Sequence, residues 1–459
     1  MPWSSLWNFC YACLIVAAAP VLLYRMLVHG KYREGWPEKL RGMLPRLDDD
    51  VPTMWLHAVS VGEVLQLAPL LEQLRVSRPG WRFVITTTTN TGLQVARQKY
   101  PGDVVCYAPL DFSWAVRRAI QRIKPRLIAL VELEIWPNLL AAAKANAIPV
   151  LLVNGRISGK SYRRYRRFRP LLRSTFARLS EAAVQNDEYA DRLCELGVPR
   201  ERLHVTGSIK FDCISADRSG GLTQELRNCF GITPDETVFM AGSTQHPEEE
   251  IALRIYRDLL SRHPSLRLIL VPRHKERFDE VAELIERRGL PLMRRSHRRQ
   301  QGPVAATGEP TGTIPPIGLL DTLGEQPACW GLADVAFVGG SLTRRGGQNM
   351  IEPASCGAAV LFGPHTHNFK DVVELLLTRD AARVVRNEGE FQRTVAELLD
   401  DPEAARRMGR RAQILVHNQQ GATARTVEAV LPYCTKTEKN HTDNPCTLPA
   451  DTLSSNRAA

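Results

Sequence analysis

Short apolar runs separated by longer amphipathic stretches characterise the chain from residue 51 onward. A run of this kind, bounded by turn residues, is typical of a buried strand, and each intervening stretch is long enough for a crossover helix. The alternation predicts an α/β fold with parallel, doubly wound sheets. The predicted strands are 53–58, 82–87, 104–107, 127–132, 149–153 and 182–185, followed after residue 213 by 238–241, 266–271, 317–320, 335–338 and 358–361.

The restart of the pattern near residue 213 predicts two domains, as expected for a chain of 459 residues. We place an N-terminal α/β domain at 31–212 and a second one at 213–432. Two such domains imply a cleft, which is a favoured place for a ligand. Residues 294–313 are rich in polar residues, Gly and Pro and predict a loop, and the polar tail 433–459 is expected to be disordered.

Residues 3–23 form an apolar run of about 20 residues, which is long enough to cross a bilayer as a helix. We therefore predict an N-terminal membrane anchor within 1–30. Three polar residues inside the run, Ser4, Ser5 and Asn8, leave open a helix that lies in the membrane interface. Basic residues follow the run and favour a cytoplasmic, inner-membrane location for the remainder: Arg25, His29, Lys31, Arg33, Lys39 and Arg41.

The net charge of +11 indicates anionic partners such as phosphorylated ligands, nucleic acid or an acidic membrane surface. The densest basic segment, 162–169, places aromatic residues three apart among five arginines, with Arg163 and Arg166 as candidate contacts. Next to a membrane anchor, this segment fits an anionic lipid surface better than nucleic acid. A solvated basic helix is the alternative. The ten scattered cysteines favour reduced thiols in the cytosol.

The junction after the first predicted strand reads HAVSVGE and places Glu63 in the first turn of a helix predicted over 64–74. Open α/β sheets bind ligands at the carboxyl ends of their strands, so Ser60, Gly62 and Glu63 lie where a functional carboxylate is expected. By itself, however, Glu63 is also explained as an acid that the helix dipole favours.

Glycine pairs in the second half indicate a nucleotide pocket. Gly339, Gly340 and Ser341 end a predicted strand, and a second pair, 346–347, opens a helix that carries Asn349 and Glu352 on one face. Free N–H groups of a helix start suit a phosphate, and a carboxylate suits ribose hydroxyls. The alternative is that these glycines are needed only for tight turns. Two further segments also follow predicted strands: Pro272 with Arg273, and 321–325.

Two other motifs do not support a function. Residues 155–161 resemble a phosphate-binding loop but have three residues between the glycines where that motif has four, which argues against a nucleotide triphosphatase. His365 and His367 have no nearby carboxylate or cysteine in the sequence that would complete a metal site.

Nine segments resemble, in the same order, the motifs of 3-deoxy-D-manno-octulosonic acid (Kdo) transferases of lipopolysaccharide synthesis. They are HAVSVGE, VELEIWPN, GSIKFD, AGSTQHPEEE, PRH, DTLGE, FVGGSL, GGQNMIEPA and FGPHTHNFKD. The resemblance covers the chain up to the tail. Members of the family often have proline where this chain has Met350.

The resemblance implies a glycosyltransferase B fold with two Rossmann-like domains facing a cleft, a CMP-Kdo donor, a lipid A precursor as acceptor, inversion at the anomeric carbon, and neither a metal nor another cofactor. It implies Glu63 as general base, Glu132 and Lys210 as stabilising residues, and Ser60, Gly62, Glu134, Arg163 and Arg166 as acceptor contacts. Glu132 and Glu134 share one strand parity, so either one fits the stabilising role. The implied donor site is Pro272, Arg273, Gly324, Glu325, Gln326, Gly340, Ser341, Asn349, Met350, Ile351 and Glu352.

The sequence leaves two alternatives open. A two-domain transferase that uses another nucleotide sugar has the same fold, and a basic membrane-bound nucleic-acid-binding protein accounts for the arginine cluster. The motifs leave the number of Kdo residues transferred open.

Overall fold

A computed structural model describes residues 2–28, 34–214, 218–297 and 314–442. The chain forms two compact units, Met1–Cys213 with Gln420–Ala459, and Ile214–Gln419. Each unit is built on a seven-stranded sheet whose neighbouring strands all pair in parallel. The predicted α/β class with two parallel sheets is confirmed.

The first sheet has the strand order β3-β2-β1-β4-β5-β6-β7. Its strands are β1 Thr53–His57, β2 Arg82–Thr87, β3 Val104–Tyr107, β4 Leu127–Val131, β5 Val150–Gly155, β6 Glu181–Val184 and β7 Leu203–Val205. The helices before and between them are α1 Pro2–Val28, α2 Trp36–Arg41, α3 Val61–Ser77, α4 Asn90–Lys99, α5 Ser113–Ile123, α6 Pro137–Ala145, α7 Gly159–Arg167, α8 Arg169–Phe176 and α9 Asp187–Leu196.

Alternation along β1 divides the core of this unit into two layers. Met54 and Leu56 pack into one apolar cluster and Trp55 into the cluster on the other face, as the two-residue period of a strand requires. Because β1 pairs with β2 on one side and β4 on the other, the strand order reverses there. Such a reversal opens a crevice at the carboxyl ends of β1 and β4.

The second sheet has the order β10-β11-β9-β8-β12-β13-β14 and reverses between β8 and β12. Its strands are β8 Thr237–Thr244, β9 Leu266–Pro272, β10 Leu292–Arg294, β11 Ile317–Leu319, β12 Val335–Val338, β13 Ala359–Phe362 and β14 Ala382–Val384. Its helices are Gly221–Cys229, Glu248–Leu260, Phe278–Arg287, Gln326–Cys329, Ile351–Ser355, Lys370–Thr378, Glu388–Asp400 and Pro402–Gln419.

All eleven predicted strands are present, and their ends agree with the prediction to within three residues. Three short strands, β7, β10 and β14, were not predicted. Each has three residues and is at least partly exposed, so its sequence contains no buried apolar run. Their place in the sheets comes from pairing with a neighbouring strand.

The C-terminal helix, Ala422–Thr442, differs from the prediction in two ways. The predicted second domain extended to residue 432, yet this helix belongs to the first unit, where Val427, Val430 and Cys434 pack against the residues of α3. Asp212 fixes its start by accepting hydrogen bonds from the N–H groups of Gly421 and Thr423. The disordered tail was predicted to begin at residue 433, but residues 433–442 are helical. Residues 443–459 lie outside the described part of the chain.

The predicted loop 294–313 is only partly described. Arg294 ends β10, and Arg295 is buried and ion-paired. Residues 298–313 lie outside the described ranges.

Helix α1 is long and apolar enough to cross a membrane by length and composition, most clearly over Ser4–Val21. Its first part contacts the first unit. The Asn8 amide donates a hydrogen bond to Ser113 Oγ at 2.9 Å and accepts one from the Ser113 N–H at 3.0 Å. Trp7 packs against the core cluster that contains Trp55.

Candidate active site

Glu63 lies in the first turn of α3, immediately beyond the carboxyl end of β1. Ser60 caps this helix, and its hydroxyl donates to one Glu63 carboxylate oxygen at 2.7 Å while the Val59 N–H donates to the other at 2.8 Å. The Ser60 oxygen in turn accepts from the Glu63 N–H at 3.3 Å. This reciprocal arrangement is a capping box, and it holds the carboxylate in one orientation at the sheet edge.

Burial is the main influence on the Glu63 carboxyl, and it raises the pKa. The hydrogen bonds from Ser60 and Val59 act in the opposite direction, and the negative charge of Glu132 adds to the increase. A raised pKa makes a carboxylate a better proton acceptor at neutral pH.

Glu132 follows β4, the strand next to β1, and is therefore brought to the same crevice. Its backbone is left-handed, with φ of 58°, and its Oε1 lies 3.6 Å from the Lys210 ammonium. The parity argument for Glu132 and Glu134 was wrong, because the strand ends at Val131 and a turn follows. The Glu132 contact with Lys210 separates the two acids.

Asn154, which the sequence analysis missed, positions Lys210. Its side chain donates to Gln66 Oε1 on α3 at 2.7 Å and accepts from the Ile209 N–H at 3.2 Å. Asn154 is fully buried, with φ of 54°, at the end of β5. An asparagine directly after the apolar run 149–153 was the available signal, because a polar residue at the end of a buried strand must find buried partners.

Glu134 lies beyond the same turn, and the Trp136 indole donates to its carboxylate at 2.9 Å. Burial raises the pKa of Glu134 to about 7, and the charges of Glu63 and Glu132 contribute to the increase. Three carboxyl groups thus interact electrostatically at one edge of this unit.

His57, the first residue of the HAVSVGE motif, is not suited to be the base. It is buried, with Nδ1 3.0 Å from Thr86 Oγ1, and burial lowers its pKa to about 4. Its ring packs edge-on against Trp136, with 5.8 Å between centroids. It therefore supports the wall of the site as a neutral group.

We predict that Glu132→Gln moves the acid limb of the kcat/KM profile to lower pH, because the negative charge of Glu132 raises the pKa of Glu63. A base with a raised pKa loses activity as the pH falls through that pKa, and removing a neighbouring negative charge lowers the pKa of the remaining carboxyl. The pH profile of transfer checks this. Glu72→Gln, on the exposed face of α3, is the matched control and should leave the limb in place. An acid limb at the wild-type pH in Glu132→Gln would contradict the influence of Glu132 on the Glu63 pKa.

In the second unit, the loop after β12 is held by Glu248, another residue that the sequence analysis missed. One Glu248 oxygen accepts from the Gln245 and Gly340 N–H groups at 3.0 and 2.7 Å, and the other accepts from Ser341 and Leu342 at 3.0 Å each. These loop N–H groups therefore bond to a carboxylate and are not available to a ligand. The buried Ser341 hydroxyl accepts from the Gly363 N–H at 2.8 Å and is likewise structural.

Asn349 and Glu352 lie together, but not on one helix as predicted, because the short helix Ile351–Ser355 begins after Asn349. Asn349 donates to Glu352 Oε1 at 2.9 Å and accepts from the Ile351 N–H at 3.1 Å. Burial raises the pKa of Glu352, and the positive charge of Arg273 opposes this. Met350 is fully buried, so its departure from the family pattern leaves the exposed surface unchanged.

Arg273 follows β9 and is exposed, while Pro272 is buried at the strand end. Arg273 and Glu352 both follow the carboxyl ends of strands of the second sheet, and the positive charge of Arg273 acts on the Glu352 carboxyl. A guanidinium beside a carboxylate suits a nucleotide, with the cation for the phosphate and the carboxylate for hydroxyls.

The loop that carries Gly324, Glu325 and Gln326 follows β11. Glu325 is buried and paired with Arg295 at 2.8 Å, so its carboxylate has a structural role. Gln326 donates to Ser243 Oγ at 2.7 Å, across the end of β8. Gly324 has φ of 85° with open space around it, which leaves room for a ligand.

The basic segment predicted around residues 162–169 lies on α7 and the start of α8. The two tyrosines are partly buried, and Tyr165 packs edge-on against Phe176 at 5.8 Å. Arg163 and Arg166 are exposed, and Arg166 lies over the Tyr162 ring at 5.4 Å. The arginines therefore form a solvent-facing basic surface. Among the described residues no cluster of His, Cys, Asp or Glu has the geometry of a metal site.

Comparisons with known proteins identify the family of this chain. A family model described as "3-Deoxy-D-manno-octulosonic-acid transferase (kdotransferase)" matches residues 34–213. The 3-deoxy-D-manno-octulosonic acid transferase of Haemophilus influenzae is 32% identical over 93% of this chain and 99% of its own. The transferase of Bordetella pertussis is 34% identical over 82% of this chain and 86% of its own.

Among solved structures, UDP-GlcNAc 2-epimerase from Neisseria meningitidis covers 83% of this chain and all of its own, with a TM-score of 0.55 at 13% identity. That likeness concerns the fold alone, which is the two-domain glycosyltransferase B type. The two transferases match nearly the whole chain, and on that basis this protein is a glycosyltransferase that belongs to the 3-deoxy-D-manno-octulosonic acid transferase family.

Proposed function

We propose that the protein transfers Kdo from CMP-Kdo to a hydroxyl of a lipid A precursor, with inversion at the anomeric carbon. The observation that carries the proposal is the fixed Glu63 carboxylate, whose pKa is raised by burial, at the crevice that Glu132 and Lys210 also line. A hydroxyl nucleophile needs such a base, because the hydroxyl must lose its proton as its oxygen attacks.

In the proposed reaction the acceptor oxygen bonds to the anomeric carbon of Kdo while the bond from that carbon to the CMP phosphate oxygen breaks. Glu63 takes the hydroxyl proton, and CMP leaves with the bonding electron pair. Attack opposite to the leaving group inverts the configuration. Lys210 offsets negative charge near the reacting carbon, and Glu132 holds the ammonium in place.

The donor is proposed to bind at the edge of the second sheet. Arg273 would contact the phosphate, and the carboxylate of Glu352, held by Asn349 and the Trp330 indole, would accept hydrogen bonds from ribose hydroxyls. Gly324 lets the backbone approach the ligand, and the partly exposed Gln326 would line the floor of the site. The buried residues Pro272, Met350 and Ile351 would support that floor without contacting the donor. Glu325, Gly340 and Ser341 would act on the donor indirectly, through the loops that they stabilise.

The acceptor implies a membrane, and we propose that α1 anchors the enzyme at the cytoplasmic face of the inner membrane. Exposed Arg163 and Arg166 are suited to phosphate groups of an anionic glycolipid. Ser60 and Glu134, beside the base, would contact the attacking sugar, and exposed Gly62 leaves space for it.

Arg273→Ala is expected to weaken CMP binding by about tenfold or more, because one charge-assisted contact contributes roughly 1.5–3 kcal/mol. Calorimetric titration with CMP measures the change. Lys275→Ala removes a nearby exposed charge and is the control that should bind CMP as the wild type does. Equal affinities for Arg273→Ala and the wild type would exclude this pocket.

A transferase that uses another nucleotide sugar is the second candidate, because the fold is shared. Mass spectrometry of the products from CMP-Kdo and a tetraacylated lipid A precursor distinguishes the two. A mass increase of one or more Kdo residues supports the proposal and counts them. Product formed only from a different nucleotide sugar would overturn it.

A further inference from the structure

A cavity of about 400 Å³ lies between α1, α5, α6 and α8 of the first unit, away from the residues assigned above to catalysis. Ser4 and Trp7 of α1 form one wall, and Arg117, Ala141 and Arg178 lie among the residues of the other walls. We propose that this cavity binds the head group of an anionic glycerophospholipid of the bilayer, a ligand distinct from both substrates of the transfer reaction.

The side chains that line the cavity give it a positive charge. Three cations line it, Arg117, Lys144 and Arg178, and no Asp or Glu is among the lining residues. Arg117 contacts neutral oxygens, the Ser113 carbonyl at 3.0 Å and its hydroxyl at 3.3 Å, and is therefore not neutralised. Neither Lys144 nor Arg178 has an ion-pair partner among the residues that the structure describes. Uncompensated cations around a cavity favour a phosphate.

The apolar helix α1 forms one wall of the cavity and would connect it to the lipid of a membrane. Asn8 ties α1 to Ser113 and accepts from the Asn138 amide at 3.2 Å, which fixes the first turns of the helix beside the cavity. Further along, Leu14, Val16 and Leu27 are 64%, 72% and 72% exposed. From Ser4 to Leu14 a helix rises about 15 Å, a distance that an acyl chain spans. A head group in the cavity could thus place its chains on the exposed apolar face.

The test uses the full-length protein in micelles of a neutral detergent that contain a small fraction of phosphatidylglycerol or phosphatidylcholine. Native mass spectrometry is expected to find one phosphatidylglycerol retained per chain and little phosphatidylcholine. The triple variant Arg117→Gln, Lys144→Gln, Arg178→Gln should bind phosphatidylglycerol about 100-fold more weakly, since each cation near an anionic lipid surface contributes roughly a fivefold factor.

The matched control carries the same charge change at exposed positions of the first unit outside the cavity, Arg46→Gln, Arg97→Gln and Lys99→Gln, and should retain the lipid. Ala141→Trp, which fills the cavity without altering charge, should release it. Equal retention of phosphatidylcholine, or undiminished binding by the cavity triple variant, overturns the proposal. Displacement by inorganic phosphate, or by the lipid A precursor at equal concentration, would assign the cavity to a free anion or to the acceptor and overturn it as well.

Discussion

Glu63→Gln is expected to reduce kcat by about 10²–10⁴-fold, the usual contribution of a positioned general base, while CMP-Kdo binding stays unchanged. Glutamine has nearly the same shape and can keep one hydrogen bond of the capping box, so α3 should still begin at the same residue. It lacks the basic oxygen that would take the hydroxyl proton. The proposed donor contacts lie in the second unit and are not altered by the substitution.

Steady-state transfer to a lipid A precursor gives kcat, and titration with CMP gives donor affinity. Glu72→Gln, in the same helix and exposed, should be fully active. Normal turnover by Glu63→Gln would show that another group takes the proton, and Glu134, whose pKa is raised to about 7, would then be tested first. Loss of CMP binding by Glu63→Gln would instead indicate a folding defect.

Glu248→Ala is expected to destabilise the second unit by about 3–5 kcal/mol and to abolish donor binding. The substitution leaves the N–H groups of Gln245, Gly340, Ser341 and Leu342 without their acceptor, and Glu248 itself is fully buried. Uncompensated buried donors have large effects because water cannot replace the lost partner. Glu248→Gln keeps one carbonyl oxygen and should lose less.

Hydrogen exchange measured on the full chain locates the effect, since exchange should accelerate in β12 and the loop through Leu342. Glu283→Ala, on the exposed face of the helix Phe278–Arg287, is the control and should leave exchange in that loop unaltered. Protection equal to the wild type in Glu248→Ala would mean that the loop does not depend on this carboxylate.

Much of the fold could be predicted because its signals are local. A buried parallel strand requires an apolar run, and each of the eleven runs identified in the sequence is a strand. The C-terminal helix shows the limit of that reasoning. Its apolar residues Val427, Val430 and Cys434 do not reveal which sheet they cover, and contact with α3 decided that they belong to the first unit.

The candidate site shows the same division. The strand-to-helix junction predicted that Glu63 would lie at a sheet edge, since Ser60, Gly62 and Glu63 are adjacent in the chain. By contrast, the difference between Glu132 and Glu134 depends on where β4 ends and on Lys210, which lies far away in the sequence. A period of two residues could not separate them because the chain turns at Glu132.

The amino-acid sequence by itself thus determined the fold class, the family and the positions from which the chemistry is proposed, because these depend on periodicity and on motifs of neighbouring residues. Only the tertiary structure decided which groups are available for substrate. It showed that Glu248 bonds to the N–H groups of the glycine loop and that Arg295 pairs with Glu325. It also showed that Asn154 accepts a hydrogen bond from the backbone next to Lys210, whose ammonium lies beside the Glu132 carboxylate. These contacts join residues distant in the chain, and burial determines their strength.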